Sequence, residues 1–431
     1  STDGLPLYAV VGTRITIRPD PTTNKGTYYL EANRVADNAP NLYVQLEEVV
    51  WVESRNPTEK HSLDVTTLPH MVRFTGNTFE LGTIPFKSRA VGDNKSVPIP
   101  KFVDNRINSL GYFQKRLVAV TGNTLLMTET DDTLNWFKQS AVRLLVSDTI
   151  DVTTSDLSVD EILHILPHNR DLLCIASNAQ FKISGTEPIT PESVSLQLTT
   201  KYECQVSVEP VTIGNSIYFP IDYGDSTGLQ EYTGEKDTNQ DFAASITNHV
   251  IGYLKGKAKL LVASPNLEMI VVTTENSEDN KIYVYEQYTQ SDGKRTQRSW
   301  SEWVFSETSN IVDAKFRKNE LVLIVAENNT LVTKTIPLYT RISTSPIEVY
   351  LDDLLELKTL DGLTVTLPNG YDSTDCVVVR GKDTPKELWE AKFTIEGNVI
   401  TLRDSLPENS NLYIGKRFSS SYEPTRPFRY N

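Results

Sequence analysis

Adjacent carboxylates are the residues of this sequence that come nearest to a catalytic arrangement. They occur at Asp131-Asp132, Asp160-Glu161 and Asp352-Asp353. A glycosidase needs two carboxyl groups, one to protonate the leaving oxygen and one to act as nucleophile or base. Neighbouring residues of a strand point to opposite faces of a sheet, so two adjacent acids cannot flank one bond. The Ser-x-Asp-x-Gly-x-x-Trp pattern of sialidase-type hydrolases is also absent. We therefore expect no enzyme, and a carbohydrate-directed enzyme remains the alternative.

Histidine and cysteine offer no convincing metal or cofactor site. His164 and His168 are four residues apart, as on one helical turn, but Ile162–Leu166 alternates like a strand, and no third ligand is nearby. Cys174 lies inside an apolar run, which predicts a buried thiol. An odd count of three cysteines without Cys-x-x-Cys spacing argues against a zinc finger or a disulfide scaffold. Nucleotide-binding and metalloprotease motifs are absent. We predict no catalytic, cofactor-binding or metal-binding residues and no cofactor.

The charge of the chain says more about its function than its histidines and cysteines do. The formal net charge is -14, which disfavours a protein that holds nucleic acid by neutralising phosphates. The acids are bunched: residues 144–169 carry five acids and no Lys or Arg, and residues 222–241 carry six acids against Lys236. The simplest interpretation of both runs is solvated loops.

Short apolar strands recur along the middle of the chain and must position any site. Their spacing of about 45–55 residues, each with a turn and a second strand, is typical of the radially arranged four-stranded sheets of a β-propeller. The strands are Arg116–Val120, Leu172–Ala176, Ser216–Pro220, Met269–Thr273 and Leu321–Val325. Alternation within them predicts buried side chains at Leu117, Leu173, Ile217, Ile270 and Leu323.

The remaining segments divide the chain into three parts. We expect an all-β protein: a β-rich, platform-like lead-in over 1–105 that ends in a Pro-rich linker from residue 85, a propeller-like core over 106–340, and a small β domain over 341–431. Strand spacing of about 11–14 residues in the last part is closer to a sandwich or barrel. The sequence pattern of Asp241–Leu254 predicts a helix or a long connector. No stretch approaches the ~18 apolar residues of a membrane span.

Three lysines alternate at Lys255, Lys257 and Lys259, which places them on one face of an extended segment. Lysines at this spacing commonly guard a solvated edge strand. The alternative is a contact between subunits, in which the lysines meet an acidic run of the neighbour.

Seven short segments follow one another in an order that resembles a known family. They are Thr67–Arg73, Arg106–Glu129, Ser147–Val152, Ala179–Phe181 with Val194–Thr200, Ile213–Phe219, Ile246–Val250 and Ser299–Trp303. Each is only a strand with a turn, so their order carries the resemblance. The chain resembles the tail tubular protein B, or tail nozzle, family of short-tailed bacteriophages. It departs from the family pattern at Thr149, where the family has proline, and family chains are longer, so we expect the natural chain to continue beyond both ends.

The resemblance implies a structural virion protein in a homohexameric ring at the lower end of the phage tail. Such a ring forms the channel for DNA ejection and meets the tail adaptor protein and tail fibres; a receptor-binding tail module remains the alternative. Duplex DNA carries about one negative charge per 1.7 Å, so an acidic lumen lets DNA pass without specific binding. We therefore predict that acids from the two runs face the channel: Asp148, Asp151, Asp222, Asp225 and Glu231.

Overall fold

The computed structural model describes most of the chain. It covers residues 4–18, 27–35, 46–154, 161–234, 241–275, 280–291, 295–307, 309–327, 329–338, 349–371, 373–380 and 389–422. The chain forms two compact units, Ser1–Ile336 and Pro337–Asn431. Both are built from antiparallel strands, which confirms the all-β class. Among the described residues, no helix is long and apolar enough to cross a membrane.

The first unit begins with a four-stranded sheet and a separate hairpin. The sheet has the order β1-β4-β3-β2. Its strands are β1 (Tyr8–Ala9), β2 (Arg14–Ile17), β3 (Tyr28–Arg34) and β4 (Glu47–Ser54). The hairpin pairs β5 (His70–Phe74) with β6 (Phe79–Thr83).

Five consecutive sheets follow, each a meander in which strands pair in chain order. The first is β7 (Ser109–Phe113), β8 (Arg116–Thr121), β9 (Thr124–Met127) and β10 (Ile150–Thr153). The second is β11 (Ile162–His168), β12 (Asp171–Ala176), β13 (Gln180–Ile183) and β14 (Gln197–Thr200). The third is β15 (Val211–Ile213), β16 (Ser216–Asp222), β17 (Thr227–Gly234) and β18 (Asp241–Ser245). The fourth is β19 (Lys257–Ser264), β20 (Met269–Glu275), β21 (Lys281–Thr289) and β22 (Arg295–Val304). The fifth is β23 (Asn310–Arg317), β24 (Glu320–Glu327) and β25 (Thr330–Pro337).

These sheets pack as the blades of a propeller-like core. First strands of successive sheets contact each other, β7 with β11, β15 with β19 and β19 with β23, as innermost blade strands do. The hydrophobic core lies in clusters that join neighbouring sheets. Val118 and Phe181 belong to one cluster of the first two sheets, Leu173 and Phe219 to one of the next two, and Tyr218 and Ile270 to one of the third and fourth. The propeller-like architecture expected from the strand spacing is confirmed.

The second strand of each blade supplies the buried positions expected from the sequence. Leu173, Ile217, Ile270 and Leu323 are buried. Leu117 is only half-buried, and its face of β8 packs in the cluster that includes the lead-in segment rather than against another blade.

The stretch Asp241–Leu254 corrects one expectation. It begins as β18, which pairs with β17, and continues as a single turn of 3-10 helix at Asn248–Val250. It is therefore neither a long helix nor a bare connector.

The Pro-rich segment 85–105 is packed rather than an extended linker. Val91, Val97 and Phe102 lie in one cluster with Trp136 and Phe137 of the first blade's long loop. The Arg89 side chain is fully buried at the base of this segment. Its guanidinium donates to the Val97 carbonyl at 3.0 Å, the Lys60 carbonyl at 2.8 Å and Glu59 at 3.1 Å.

The second unit is a small sandwich of two sheets. One has the order β26-β32-β28-β29 and the other β27-β31-β30. The strands are β26 (Asp352–Lys358), β27 (Thr364–Thr366), β28 (Cys376–Arg380), β29 (Trp389–Glu390), β30 (Phe393–Glu396), β31 (Val399–Leu402) and β32 (Asn411–Lys416). Both sheets contribute to one core, which includes Val378 and Ile414 from the first and Val365 and Ile400 from the second.

Candidate channel and contact residues

Asp148 is buried and holds a loop in place. Its side chain is inaccessible to solvent. The carboxylate accepts hydrogen bonds from the backbone N–H of Gln139 at 3.0 Å and of Leu145 at 2.8 Å. Its own carbonyl accepts from the buried Arg116 guanidinium at 2.7 Å, and Arg116 also donates to the carbonyls of Thr128 at 2.6 Å and Val146 at 3.1 Å. The expectation that Asp148 faces the channel is therefore wrong for the folded chain.

Glu231 is also buried, at the interface between the third and fourth blades. It lies on β17 and forms an ion pair with Arg295 of β22. The Tyr218 hydroxyl donates to Glu231 at 3.0 Å, and Arg295 also donates to the Ser216 hydroxyl at 2.9 Å. Burial raises the pKa of Tyr218, and the negative charge of Glu231 adds to that shift. Glu231 therefore joins two blades and does not present an acid to solvent.

Asp151 and Asp222 are exposed, but each has a lysine partner in the same chain. Asp151 on β10 lies 2.9 Å from the Lys101 ammonium, and Asp222 at the end of β16 lies 3.2 Å from Lys257. The backbone N–H of Gly224 donates to Asp222 at 2.7 Å. That hydrogen bond, followed by the Lys257 interaction, lowers the pKa of Asp222.

Asp225 and Lys255 lie on the same surface as that pair. Ser226 and Lys255 form an antiparallel bridge, and the Gly256 N–H donates to the Asp225 carbonyl at 2.9 Å. A shallow cavity of about 620 Å³ is bordered by residues of both segments. Its lining is Gly224, Asp225, Ser226, Gly252, Lys255, Gly256, Lys257 and Glu275. Among the described residues, the Asp225 carboxylate has no ion-pair partner within 4.0 Å. The structure thus joins two sets that the sequence treats as separate, acids for the channel and lysines for a subunit contact.

The three lysines are all exposed, as their alternation predicts. Lys257 opposes Glu275 across the sheet, whereas Lys259 falls at a register shift between Ala258 and Leu260. A β-bulge of this kind twists the strand end and blunts an edge. Lys255 and Lys259 form no ion pair within the described chain, which leaves their ammonium groups open to another molecule.

Of the adjacent acids considered for catalysis, Asp131 and Asp132 have separate partners. Asp131 lies 3.0 Å from Lys115, and Asp132 lies 2.5 Å from Lys87, so each acid serves a separate surface ion pair. Asp352 and Asp353 stand side by side at the start of β26. Asp160 lies outside the described residues.

His164 and His168 lie on a strand and do not converge. The His168 imidazole Nε2 is 2.8 Å from the Asn215 carbonyl, and burial lowers the pKa of His164. All three cysteines are free and buried, and burial raises the pKa of Cys204 to about 12. The described residues contain no group of three potential metal ligands.

Sequence reasoning missed the buried charged side chains and two exposed apolar surfaces. Arg116 stands at the head of an apolar strand, which is a detectable signal for a buried arginine. Its partners are backbone carbonyls up to 32 residues away, and no local pattern identifies them. The exposed apolar surfaces are the β5–β6 hairpin and the loop Val142–Val146.

Comparison with solved structures finds only distant likeness. Prolyl oligopeptidase B from Galerina marginata shares 10% identity at a TM-score of 0.38 over 93% of this chain and 51% of that chain. The N-terminal domain of Nup159 shares 12% identity at a TM-score of 0.32, over 72% of this chain and 89% of that chain. Hsv2 of Kluyveromyces lactis shares 10% identity at a TM-score of 0.30, over 57% of this chain and 78% of that chain. These scores are too low to carry a functional argument.

Comparison with protein sequences is more informative. The chain is 25% identical over 337 residues to the tail tubular protein gp12 of Escherichia phage T7, which covers 73% of this chain. It spans 42% of the length of that relative. The family model described as bacteriophage nozzle protein matches residues 1–431. The chain therefore belongs to the bacteriophage nozzle protein family, a structural component of the virion tail.

Proposed function

We propose that this chain is a subunit of a homohexameric nozzle ring through which double-stranded DNA leaves the phage particle. The match of the family model to residues 1–431 carries this proposal. The tail adaptor protein and the tail fibres are the proposed neighbours of the ring. The chain acts as scaffold and conduit, not as an enzyme, and the adjacent carboxylates Asp131 and Asp132 serve separate ion pairs.

The net negative charge of the chain suits a channel that DNA passes through without binding to its wall. A formal net charge of -14 repels the phosphates of a duplex, whereas a basic wall would hold them and release counterions. Repulsion extends only about 10 Å at 0.1 M salt, so acids matter only where they border the DNA path. Asp151, Asp222 and Asp225 are the members of the predicted set that reach solvent.

Asp225 is the leading candidate among these three. Lysine ammonium groups pair with Asp151 and Asp222 and cancel most of their field at a distance. No described cation lies within ion-pair distance of Asp225, so no ion pair within the described chain offsets the field of its carboxylate. We assign Lys255 and Lys259 to a contact with a neighbouring subunit, because both ammonium groups are exposed and unpaired within the described chain.

The test is DNA ejection from particles that carry Asp225→Lys in the nozzle. The reversal adds a cation beside Lys255, and we expect slower ejection at low salt, with recovery as salt rises. Asp404→Lys is the matched control, because Asp404 is an exposed acid of the second unit. If Asp225→Lys and Asp404→Lys particles eject at the wild-type rate at low salt, Asp225 is ordinary surface charge.

The ring itself is tested separately by native mass and by electron microscopy of the purified protein. A six-fold ring supports the nozzle. Reducing-sugar release from host polysaccharide by the pure protein would instead support the carbohydrate-directed enzyme.

A further inference from the structure

The β5–β6 hairpin exposes a continuous apolar face. Val72 lies opposite Leu81, and Phe74 lies opposite Phe79; directly opposed residues share a face of an antiparallel sheet. The four side chains are 64%, 74%, 59% and 75% exposed. The centroids of the Phe74 and Phe79 rings are 5.0 Å apart, with the rings tilted by 45° to each other, so the two rings form one continuous apolar surface.

The opposite face of the hairpin is of a different kind. There Arg73 lies opposite Glu80, and Met71 lies opposite Gly82. An isolated two-stranded hairpin is only marginally stable in water, and apolar patches of a few hundred Å² on soluble proteins commonly mark interaction sites. The chain therefore carries a hairpin with one face suited to solvent and one suited to a partner.

A second apolar surface lies on the loop between β9 and β10. Val142, Leu144, Leu145 and Val146 are consecutive except for Arg143, and they are 55%, 44%, 38% and 70% exposed. We call these four residues the loop patch.

The loop patch is held rigidly from beneath. Arg116 donates to the Val146 carbonyl at 3.1 Å, and the Leu145 N–H donates to the buried Asp148 at 2.8 Å. The start of the loop is fixed by Glu53, which accepts from Ser140 at 2.7 Å. A loop fixed in this way loses little conformational entropy when a partner covers it.

The hairpin and the loop patch are rooted in one hydrophobic cluster. Leu68, just before the hairpin, and Phe86, just after it, pack in the cluster that also contains Trp136 and Ala141. Ala141 immediately precedes the loop patch. Because both surfaces extend from this one cluster, they have the same relative position in every copy of the chain.

We propose that the apolar hairpin face of one copy of this chain covers the loop patch of the next copy. Each copy carries both surfaces, so each can give its hairpin to one neighbour and receive a hairpin from the other. Such head-to-tail contacts close into a ring when the rotation between copies is fixed. The proposal rests on the ring under "Proposed function" and names one contact that holds it.

The size of the two surfaces fits this assignment. From typical buried areas of aromatic and aliphatic side chains, the eight residues cover on the order of 600 Å² when they meet. A specific interface needs roughly 1,000 Å² in total with a polar rim. The two surfaces thus supply the apolar centre of a contact.

The test uses two variants of the 431-residue chain that disable the surfaces separately. Phe74→Ser with Phe79→Ser alters the hairpin, and Val142→Asp with Val146→Asp alters the loop patch. Tyr288→Ser and Ile251→Asp are matched controls, since those side chains are 60% and 72% exposed elsewhere on the first unit. Circular dichroism and melting temperature check that each variant folds.

Analytical ultracentrifugation over a concentration series gives the readout. We expect each surface variant to weaken self-association by at least about 30-fold, as the loss of one hot spot does, while the controls assemble normally. A mixture of the two surface variants should form dimers, because the intact hairpin of one fits the intact loop patch of the other. Single variants alone should remain monomers.

Cross-linking gives an independent check. Mixing the Phe79→Cys chain with the Val146→Cys chain should give a disulfide-linked dimer under oxidation. The native cysteines are all buried and leave each single variant largely unlinked.

The outcomes separate this proposal from the ring. Normal assembly of both surface variants would overturn the contact and leave the ring standing. A wild-type chain that stays monomeric at every concentration would overturn both. If wild-type chain floats with phosphatidylglycerol vesicles, and Phe79→Ser abolishes flotation without weakening association, the hairpin face belongs to a lipid surface and the contact is wrong.

Discussion

The ion pair between Glu231 and Arg295 gives the sharpest test of how the blades are joined. Glu231→Leu keeps the side-chain volume but removes the charge, so it leaves the Arg295 guanidinium without its counter-ion inside the protein. The side chains of Arg295 and Glu231 are 22% and 7% exposed, and breaking a buried pair from one side costs about 3–5 kcal/mol. Since water reaches part of Arg295, and Tyr218 keeps Gln287 at 3.3 Å as a hydrogen-bond partner, we expect a loss near the lower limit.

The matched variant is the double replacement Glu231→Leu with Arg295→Met. It removes both charges, and apolar replacement of a whole buried pair is commonly neutral or stabilising. We expect the double variant to recover most of the stability that the single variant loses. This recovery separates an uncompensated charge from general damage to packing.

Urea unfolding followed by tryptophan fluorescence measures both variants. Trp300 is a reporter at this blade interface, because its ring lies 5.1 Å from that of Tyr285 and its indole N–H donates to the Ile246 carbonyl at 3.2 Å. A loss under about 1 kcal/mol in Glu231→Leu, or a double variant no more stable than the single, would refute the reasoning from burial.

Four further predictions follow from burial and charge. Leu173→Ala should cost about 2–5 kcal/mol in urea unfolding, because it leaves a cavity between two blades; a loss under about 1 kcal/mol would place that strand at an edge. Burial lowers the pKa of His164 below 6.5, so the unfolded chain binds a proton that the folded chain refuses, and stability falls as pH drops through that value. His164→Gln should flatten this fall, and parallel curves would contradict it. Burial raises the pKa of the Cys174 thiol, so peptide mapping should find it unalkylated by N-ethylmaleimide until the chain unfolds. Asp131→Asn and Asp132→Asn should each leave any glycan assay of the pure protein at background; hydrolysis by the wild-type chain that one of them abolishes would overturn the structural role.

The strands of the core were predictable because their signal is local. Leu173 and Ile270 lie in short aliphatic runs bounded by turn residues, and the period of such runs is set by the length of a blade. Leu117 shows where this reasoning stops. Alternation identifies two faces of a strand, but not that one face of β8 meets the lead-in cluster instead of a blade.

The acids were harder to place because a charge run carries no information about a distant partner. Asp148 lies in the same acidic run as Asp151, yet one is buried and the other exposed. The difference comes from backbone N–H groups that the loop turns towards Asp148. Likewise, Glu231 on β17 forms an ion pair with Arg295 on β22 of the next blade. A single sequence does not show that these two residues are partners.

The surface around Asp225 shows why the channel and contact hypotheses must be considered together. Asp222, Asp225 and Glu275 share it with Lys255 and Lys257, so its formal charge is only slightly negative. DNA within about a Debye length of this surface would respond to that sum and not to a single carboxylate. If Lys255 pairs with an acid of the neighbouring subunit, as we propose, its charge is withdrawn from the sum, and the field at Asp225 becomes more negative. Ring assembly would thereby strengthen the repulsion of DNA at the place where subunits meet.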